Sequence, residues 1–410
     1  MRHLSRSLVL IPILFGLLFG RAFGQSEIME KFASGRPIYA TNESIIPFSL
    51  EGHRIIVKVR INDSNKEYSF MLDTGALTMI DQKAADELNL KKGTAMPTMK
   101  QGESAFLTRV DRLSLGETVV EDFEIPIMDI PRQFDRRVMP DGFIGSDFLR
   151  FFRTTIDYEN RNIILRRDAG LVVQERGIRI KVDIPFPMRF PTLSLTTDSL
   201  LNIKCIIDTG SPYALVLPMS FLEKLPANSK SSLTKSKGFL AKWPGTSLDY
   251  NYLWRIKKMK CGELEIEDLP VLFAELPLNF ASSGLIGKRL LEHYLVTIDY
   301  PGQELILVPN GTGNPQSNIF SCGIGLKKDI DGRIVVQGLW EGSPADRASL
   351  AVGTEIVEIN DKTTSDLSLA QINSILEDDR VKTIKFLIRA EGRNKKVELA
   401  KEMIFREGLR

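Results

Sequence analysis

The sequence predicts a mostly β protein of two duplicated lobes followed by a small α+β unit, and three observations carry that prediction. Asp-Thr-Gly occurs twice, as Asp73-Thr74-Gly75 and Asp208-Thr209-Gly210, each time directly after an apolar strand-like run, Tyr68-Ser-Phe-Met-Leu72 and Ile203-Lys-Cys-Ile-Ile207. Average composition yields only about 0.1 such triplets by chance in a chain of this length. The surroundings also recur: Gly142-Phe-Ile-Gly-Ser-Asp-Phe-Leu149 returns as Gly284-Leu-Ile-Gly-Lys-Arg-Leu-Leu291, and Thr155-Ile-Asp-Tyr158 as Thr297-Ile-Asp-Tyr300. The copies lie 135 residues apart at the triplet and 142 apart at the later segments, which marks an internal duplication with a short net insertion in the second copy. Finally, the hydrophobic period changes beyond a Gly-, Pro- and Asn-rich stretch at 308–315, which reads as a linker to a third unit.

Taken in order, the elements follow from the pattern. Between residues 45 and 72 apolar and polar residues alternate, as in Ile55-Ile-Val-Lys-Val-Arg-Ile61, which predicts half-buried strands. After the first triplet comes Leu77-Thr-Met-Ile80, and Asp81 then caps a helix over 82–90 with Ala and Leu at helical spacing. The second lobe repeats the order with Ala214-Leu-Val-Leu217 and a helix over 218–225 opened by Pro218. In the third unit, Ser368-Leu-Ala-Gln371 forms a capping box that opens a helix burying Leu369, Ile372 and Leu376. The resulting division is 1–24 leader, 25–168 first lobe, 169–309 second lobe, 310–318 linker, 319–400 α+β unit and 401–410 tail.

Composition narrows the chemistry. The chain has 410 residues, 43% of them hydrophobic, enough for globular packing in each unit. Arg2, His3 and Arg6 precede an apolar run from Leu8 to Phe19, and Ala22-Phe23-Gly24 supplies small residues for a cut after Gly24, so the N-terminus reads as a secretory signal. That run is too short for a comfortable membrane span, and no longer apolar stretch follows. Cleavage removes Arg2, Arg6 and Arg21 and no acid, taking the formal charge from +2 to −1, which gives no electrostatic case for nucleic acid. Only His53 and His293 would remain, without zinc-ligand spacing, so neither a metal nor another cofactor is called for. Gly-x-Ser-x-Gly is absent, which weakens a serine-hydrolase reading. Cys205, Cys261 and Cys322 read as small buried residues, with a Cys205–Cys261 bridge open as an alternative in an oxidising compartment.

The pattern of strand, Asp-Thr-Gly and a later apolar-Ile-Gly segment, present twice in about 260 residues, resembles the aspartic peptidases. The first triplet continues into Ala76, as in retroviral-type half-enzymes, and the second into Ser211, as in pepsin-like lobes. The resemblance implies two retropepsin-like β-barrel lobes forming a bilobed peptidase, with Asp73 and Asp208 as a catalytic pair. Two carboxyls sharing one proton can act as base toward water and as acid toward a peptide carbonyl. Gly75 and Gly210 allow a tight turn beneath each carboxylate, where a side chain would collide. By resemblance, Thr74 and Thr209 reach across to the opposite lobe, Ser211 supports its loop, and Ile144-Gly145 and Ile286-Gly287 pack beneath the loops. The residues covering the cleft would fall near 100–106 and 237–245, although neither stretch matches the family's flaps, and Tyr213 is unusual and would crowd the cleft. Asp157 and Asp299 read as structural residues at strand ends, and Asp147 is set aside because Lys288 and Arg289 stand at its counterpart.

Beyond the linker, Ser343-Pro-Ala-x-x-Ala-x-Leu-x-x-Gly followed by Ile-x-x-Ile-Asn resembles a PDZ domain. There the backbone N–H groups of Gly323-Ile324-Gly325-Leu326 would hold a peptide's terminal carboxylate, unless the stretch is a plain strand within the module. The expectation is an exported, monomeric aspartic endopeptidase acting on polypeptides, periplasmic or extracellular, with a peptide-recruiting tail. The alternatives are a catalytically silent peptide-binding protein and, within enzymes, a carboxylate-pair glycosidase, which has no need of two identical Asp-Thr-Gly loops.

Overall fold

The computed structural model describes residues 30–97, 104–130, 140–167, 177–243, 246–277, 280–312, 320–329, 331–390 and 392–405. The expected leader with its cut site, the first lobe boundary and most of the linker lie outside these residues, as do 100–103 and 244–245 of the expected covering segments. The protein is mostly β. Alternation decides which face of each strand is buried: along Arg54–Ile61, Ile55, Val57, Val59 and Ile61 are fully enclosed, whereas Lys58 and Arg60 face solvent. Among the described residues, no helix is long and apolar enough to cross a membrane.

In the first half, Tyr68–Leu72 pairs antiparallel with Arg54–Ile61 and parallel with Gly142–Ile144. Gly142–Ile144 in turn pairs antiparallel with Met79–Asp81. A later strand is thus inserted between two that are consecutive in sequence, and the loop joining them, residues 73–78, must arch over its end. The second half has the same succession: Ile203–Ile207 lies parallel to Gly284–Ile286, which pairs antiparallel with Leu215–Pro218.

A six-stranded sheet joins the halves, ordered Ile178–Lys181, Glu304–Pro309, Tyr294–Asp299, Arg153–Asp157, Asn162–Arg166, Glu43–Pro47. Its seam is the antiparallel pairing of Arg153–Asp157 with Tyr294–Asp299, where the hydroxyls of Thr155 and Thr297 meet at 2.9 Å. Ile156, Ile163, Val296, Ile298 and Leu305 are buried along it, and one continuous apolar cluster runs through both halves. The loops at 73–78 and 208–213 are therefore fixed to one rigid base.

Residues 320–405 form a unit with its own core, including Leu326, Val336, Ile356, Ile372 and Phe386. Its sheet runs on from that of the second half, because Thr234–Gly238 pairs with Tyr252–Cys261 and also with Ile334–Trp340.

The helices are where the pattern reading needs adjustment. Asp81 caps Gln82–Glu87, accepting from Lys83 N at 3.0 Å, but the helix stops earlier than the predicted 90 because Asn89 turns into the left-handed region at φ 53°. The helix expected over 218–225 is a single 3-10 turn, Met219–Phe221, followed by Ala227–Lys230. Pro226 disfavours helical geometry at Leu225 and breaks the run. The capping box of Leu369–Glu377 forms, with Ser368 Oγ accepting from Gln371 N and Gln371 Oε1 from Ser368 N. Cys205, Cys261 and Cys322 are buried free thiols, so no Cys205–Cys261 bridge is present.

Candidate active site

The two arching loops meet at the base of the molecule through their threonines. Thr74 Oγ1 donates to Ile207 O at 2.6 Å and accepts from Thr209 N at 3.0 Å. Thr209 Oγ1 donates to Leu72 O at 3.2 Å and accepts from Thr74 N at 3.1 Å. Both threonines are fully buried, so each hydroxyl completes backbone groups of the opposite half that water cannot reach.

This lock sets Asp73 beside Asp208. Each carboxyl lies against the glycine of the opposite triplet, and each is also held by its own loop. Asp73 Oδ1 accepts from Gly75 N at 2.9 Å, and Asp208 Oδ1 from Gly210 N at 2.9 Å. Burial pushes both groups above the ordinary aspartate range. Asp208 rises further, because the charge of Asp73 stands next to it. Two such groups cannot both ionise cheaply, so the last proton of the pair is held more tightly than an ordinary aspartate holds its own.

The glycines of the triplets are required by the opposite half, not by turn strain. A Cβ on Gly210 would lie 2.4 Å from Asp73 Oδ2, and one on Gly75 would lie 2.8 Å from Asp208 Cγ. Each glycine thus makes room for the other half's carboxylate.

The Ile-Gly segments lie directly beneath. Ile144 O accepts from Asp73 N at 2.9 Å and Ile286 O from Asp208 N at 2.8 Å, so each aspartate continues the pairing of the inserted strand. Gly145 N donates to Thr78 Oγ1 at 3.0 Å, and Gly287 N to Ala214 O at 3.2 Å. Ser211 uses its backbone N toward Asp208, while its buried hydroxyl has no protein partner. Asp157 and Asp299 sit at turns, accepting from Asn160 N and Gly302 N respectively.

Sequence reasoning passed over Asp147. It is 1% exposed, and its Oδ1 accepts from Thr78 N and Thr78 Oγ1, both at 2.7 Å, while Oδ2 is buried without a partner. Burial pushes its pKa up to about 6. Beside it, Ser146 Oγ donates to Thr74 O at 2.7 Å and lies 3.0 Å from the hydroxyl of Tyr300, which comes from the second half. The available signal was Thr78 preceding an otherwise apolar strand, a polar residue that needs a buried acceptor.

Gly323 to Leu326 stand at the start of a strand of the C-terminal unit, away from the paired aspartates. Gly323 N is already engaged, donating to Ser321 Oγ at 3.0 Å, and Ile324 and Leu326 are buried in that unit's core. Of the four residues expected to hold a carboxylate, Gly323 has therefore committed its amide elsewhere.

The mostly β frame thus sets two buried carboxyls against one another on threonine-locked loops. The family model described as Aspartyl protease matches residues 57–148, the stretch containing the first triplet and its Ile144-Gly145 support, and supports an aspartic peptidase. No curated protein matches the chain.

Proposed function

We propose that the chain is an exported aspartic endopeptidase in which Asp73 and Asp208 activate one water molecule against a peptide bond. The observation that carries this reading is the reciprocal threonine lock combined with the approach of each carboxyl to the glycine of the opposite triplet. One carboxylate of the pair takes a proton from water as the oxygen attacks the carbonyl carbon. The other carboxyl, which holds the shared proton at rest, gives it to the carbonyl oxygen. The tetrahedral intermediate collapses when the proton gained from water passes to the leaving nitrogen, a hydroxyl of the intermediate returns its proton to the other carboxylate, and the C–N bond breaks. Gly75 N and Gly210 N stabilise whichever carboxylate is charged at each stage.

The parallel strand order of the two halves supports descent from one duplicated lobe, with boundaries near 168 and 309. The C-terminal unit, with its capping-box helix beside Ile324–Lys328, is read as a PDZ-like module that recruits polypeptides by their C-terminal ends. The basic, then apolar leader supports export to a periplasm or the exterior.

The test incubates purified mature protein with a peptide library from pH 3 to 8, with and without a statine-type transition-state mimic. Inhibitable turnover, abolished by Asp73→Asn and by Asp208→Asn in folded protein, is expected. Full activity in either variant would refute the assignment.

A further inference from the structure

The C-terminal unit is built into the second half and does not hang from it. Ser236, Lys237 and Gly238 pair with Trp340, Leu339 and Gly338. Trp340 and Ile404 of the C-terminal unit are buried in a cluster with Ile206, Val216, Leu253 and Leu285 of the second half. Arg255 of that half lies over the ring of Phe405, 4.3 Å from its centroid, and Lys237 Nζ meets Asp346 Oδ1 at 2.6 Å.

The loop after Gly238 is then held rigidly. Asn251, buried to 1% exposure, accepts from Leu240 N at 2.7 Å and Ala241 N at 2.9 Å, and its Nδ2 donates to Ala241 O at 3.0 Å. From this loop two contacts run in opposite directions. Leu240 O accepts from the hydroxyl of Tyr213 at 2.8 Å, and Tyr213 belongs to the loop that starts at Asp208. The Leu240 side chain packs on Gly325, where a Cβ would fall 2.5 Å from Leu240 Cδ2. Tyr213 thus directs its hydroxyl to the segment expected to cover the cleft.

We infer that Tyr213 and Leu240 are positioning residues for peptide cleavage, transmitting the fixed geometry of the C-terminal unit at Gly325 to the loop that carries Asp208. This rests on the proposed peptidase function and deepens it. A tail that only recruits substrate would affect long polypeptides with free C-termini. A unit that braces the catalytic loop also affects a short peptide that no recruiting groove could hold.

Gly325→Ala isolates the coupling. The new methyl would press on Leu240, its next neighbours being Gln337 atoms at 3.4 and 3.6 Å, so the C-terminal unit itself has room for it. Leu240→Ala clears the space that the methyl needs. The four proteins of this cycle, with Tyr213→Phe alone and combined with Gly325→Ala, are assayed on a six-residue, C-terminally amidated peptide. In parallel, amide hydrogen exchange is read over residues 211–217.

Gly325→Ala is expected to lower kcat about tenfold and to speed exchange over 211–217, with KM little changed. The double variant should return to the level of Leu240→Ala alone. Tyr213→Phe should lower kcat and make it insensitive to Gly325→Ala. Unchanged kcat and unchanged exchange in Gly325→Ala overturn the coupling while leaving the peptidase assignment standing. If wild type cleaves nothing, the peptidase assignment fails and exchange alone decides the coupling: a change reversed in the double variant supports it, and no change refutes it.

Discussion

Replacing Gly210 with alanine tests the central geometry directly, because the added methyl would point at the carboxylate of the other half. Its carbon would stand 2.4 Å from Asp73 Oδ2 and 2.6 Å from Cγ. Non-bonded carbon and oxygen come to rest at about 3.3 Å or more, so the Asp73 carboxyl must retreat by about 1 Å. It cannot do so freely, since Oδ1 is tied to Gly75 N at 2.9 Å. A displacement of about 1 Å in a positioned catalytic group costs about 10²-fold in rate, equivalent to about 2.7 kcal/mol of transition-state stabilisation. Overpacking of the buried loop costs about 1–3 kcal/mol of stability, which a fold of this size can absorb. The assay is kcat/KM on a fluorogenic peptide, with urea unfolding to establish that the variant is folded. A folded Gly210→Ala protein with kcat/KM within about threefold of wild type would mean that cleavage does not need the two carboxyls at this separation.

Two pH effects follow from the buried acids. For Asp147 the folded pKa is about 6, against an unfolded value of 3.8, so its contribution to stability is fully present below pH 3.8 and is lost as pH rises through about 6. The shift corresponds to about 3 kcal/mol, so Asp147→Asn, which keeps an acceptor for Thr78, should gain about that much on wild type between pH 3.5 and 7.5 in urea titrations. A constant difference across that range would mean that the carboxyl is not buried as described. Asp208 is raised in the same sense, so its contribution is likewise present in acid and lost on the way to neutrality. Asp208→Asn should therefore be inactive yet less destabilised by the move from pH 4 to 7.5 than wild type; an equal pH dependence would contradict the raised value.

The features legible in the sequence were those compressed into short contiguous strings. Asp-Thr-Gly and Ile-Gly each carry a local backbone need, and their repetition made the pair visible before any coordinates. The alternation in Arg54–Ile61 gave a strand for the same reason, because burial on one face is a property of neighbours in sequence. Contacts between distant segments left no such trace. Asp147 meets Thr78 across 69 residues, and the docking of Ser236–Gly238 on Gly338–Trp340 is made by backbone pairing, which constrains side-chain identity weakly.

The contacts also show where the two halves differ. In the first half Thr78 and Asp147 brace the catalytic loop with buried side chains. At the corresponding positions the second half has Tyr213 and Arg289, and a guanidinium accepts no hydrogen bond, so the same brace cannot form. Tyr213 instead donates to Leu240 O, and Leu240 rests on Gly325. The half without an internal carboxylate brace is thus the half on which the C-terminal unit is docked. On the proposed reading, the C-terminal unit and the altered residue pair act together to hold Asp208 in place, so the asymmetry of the two loops would be felt in catalysis.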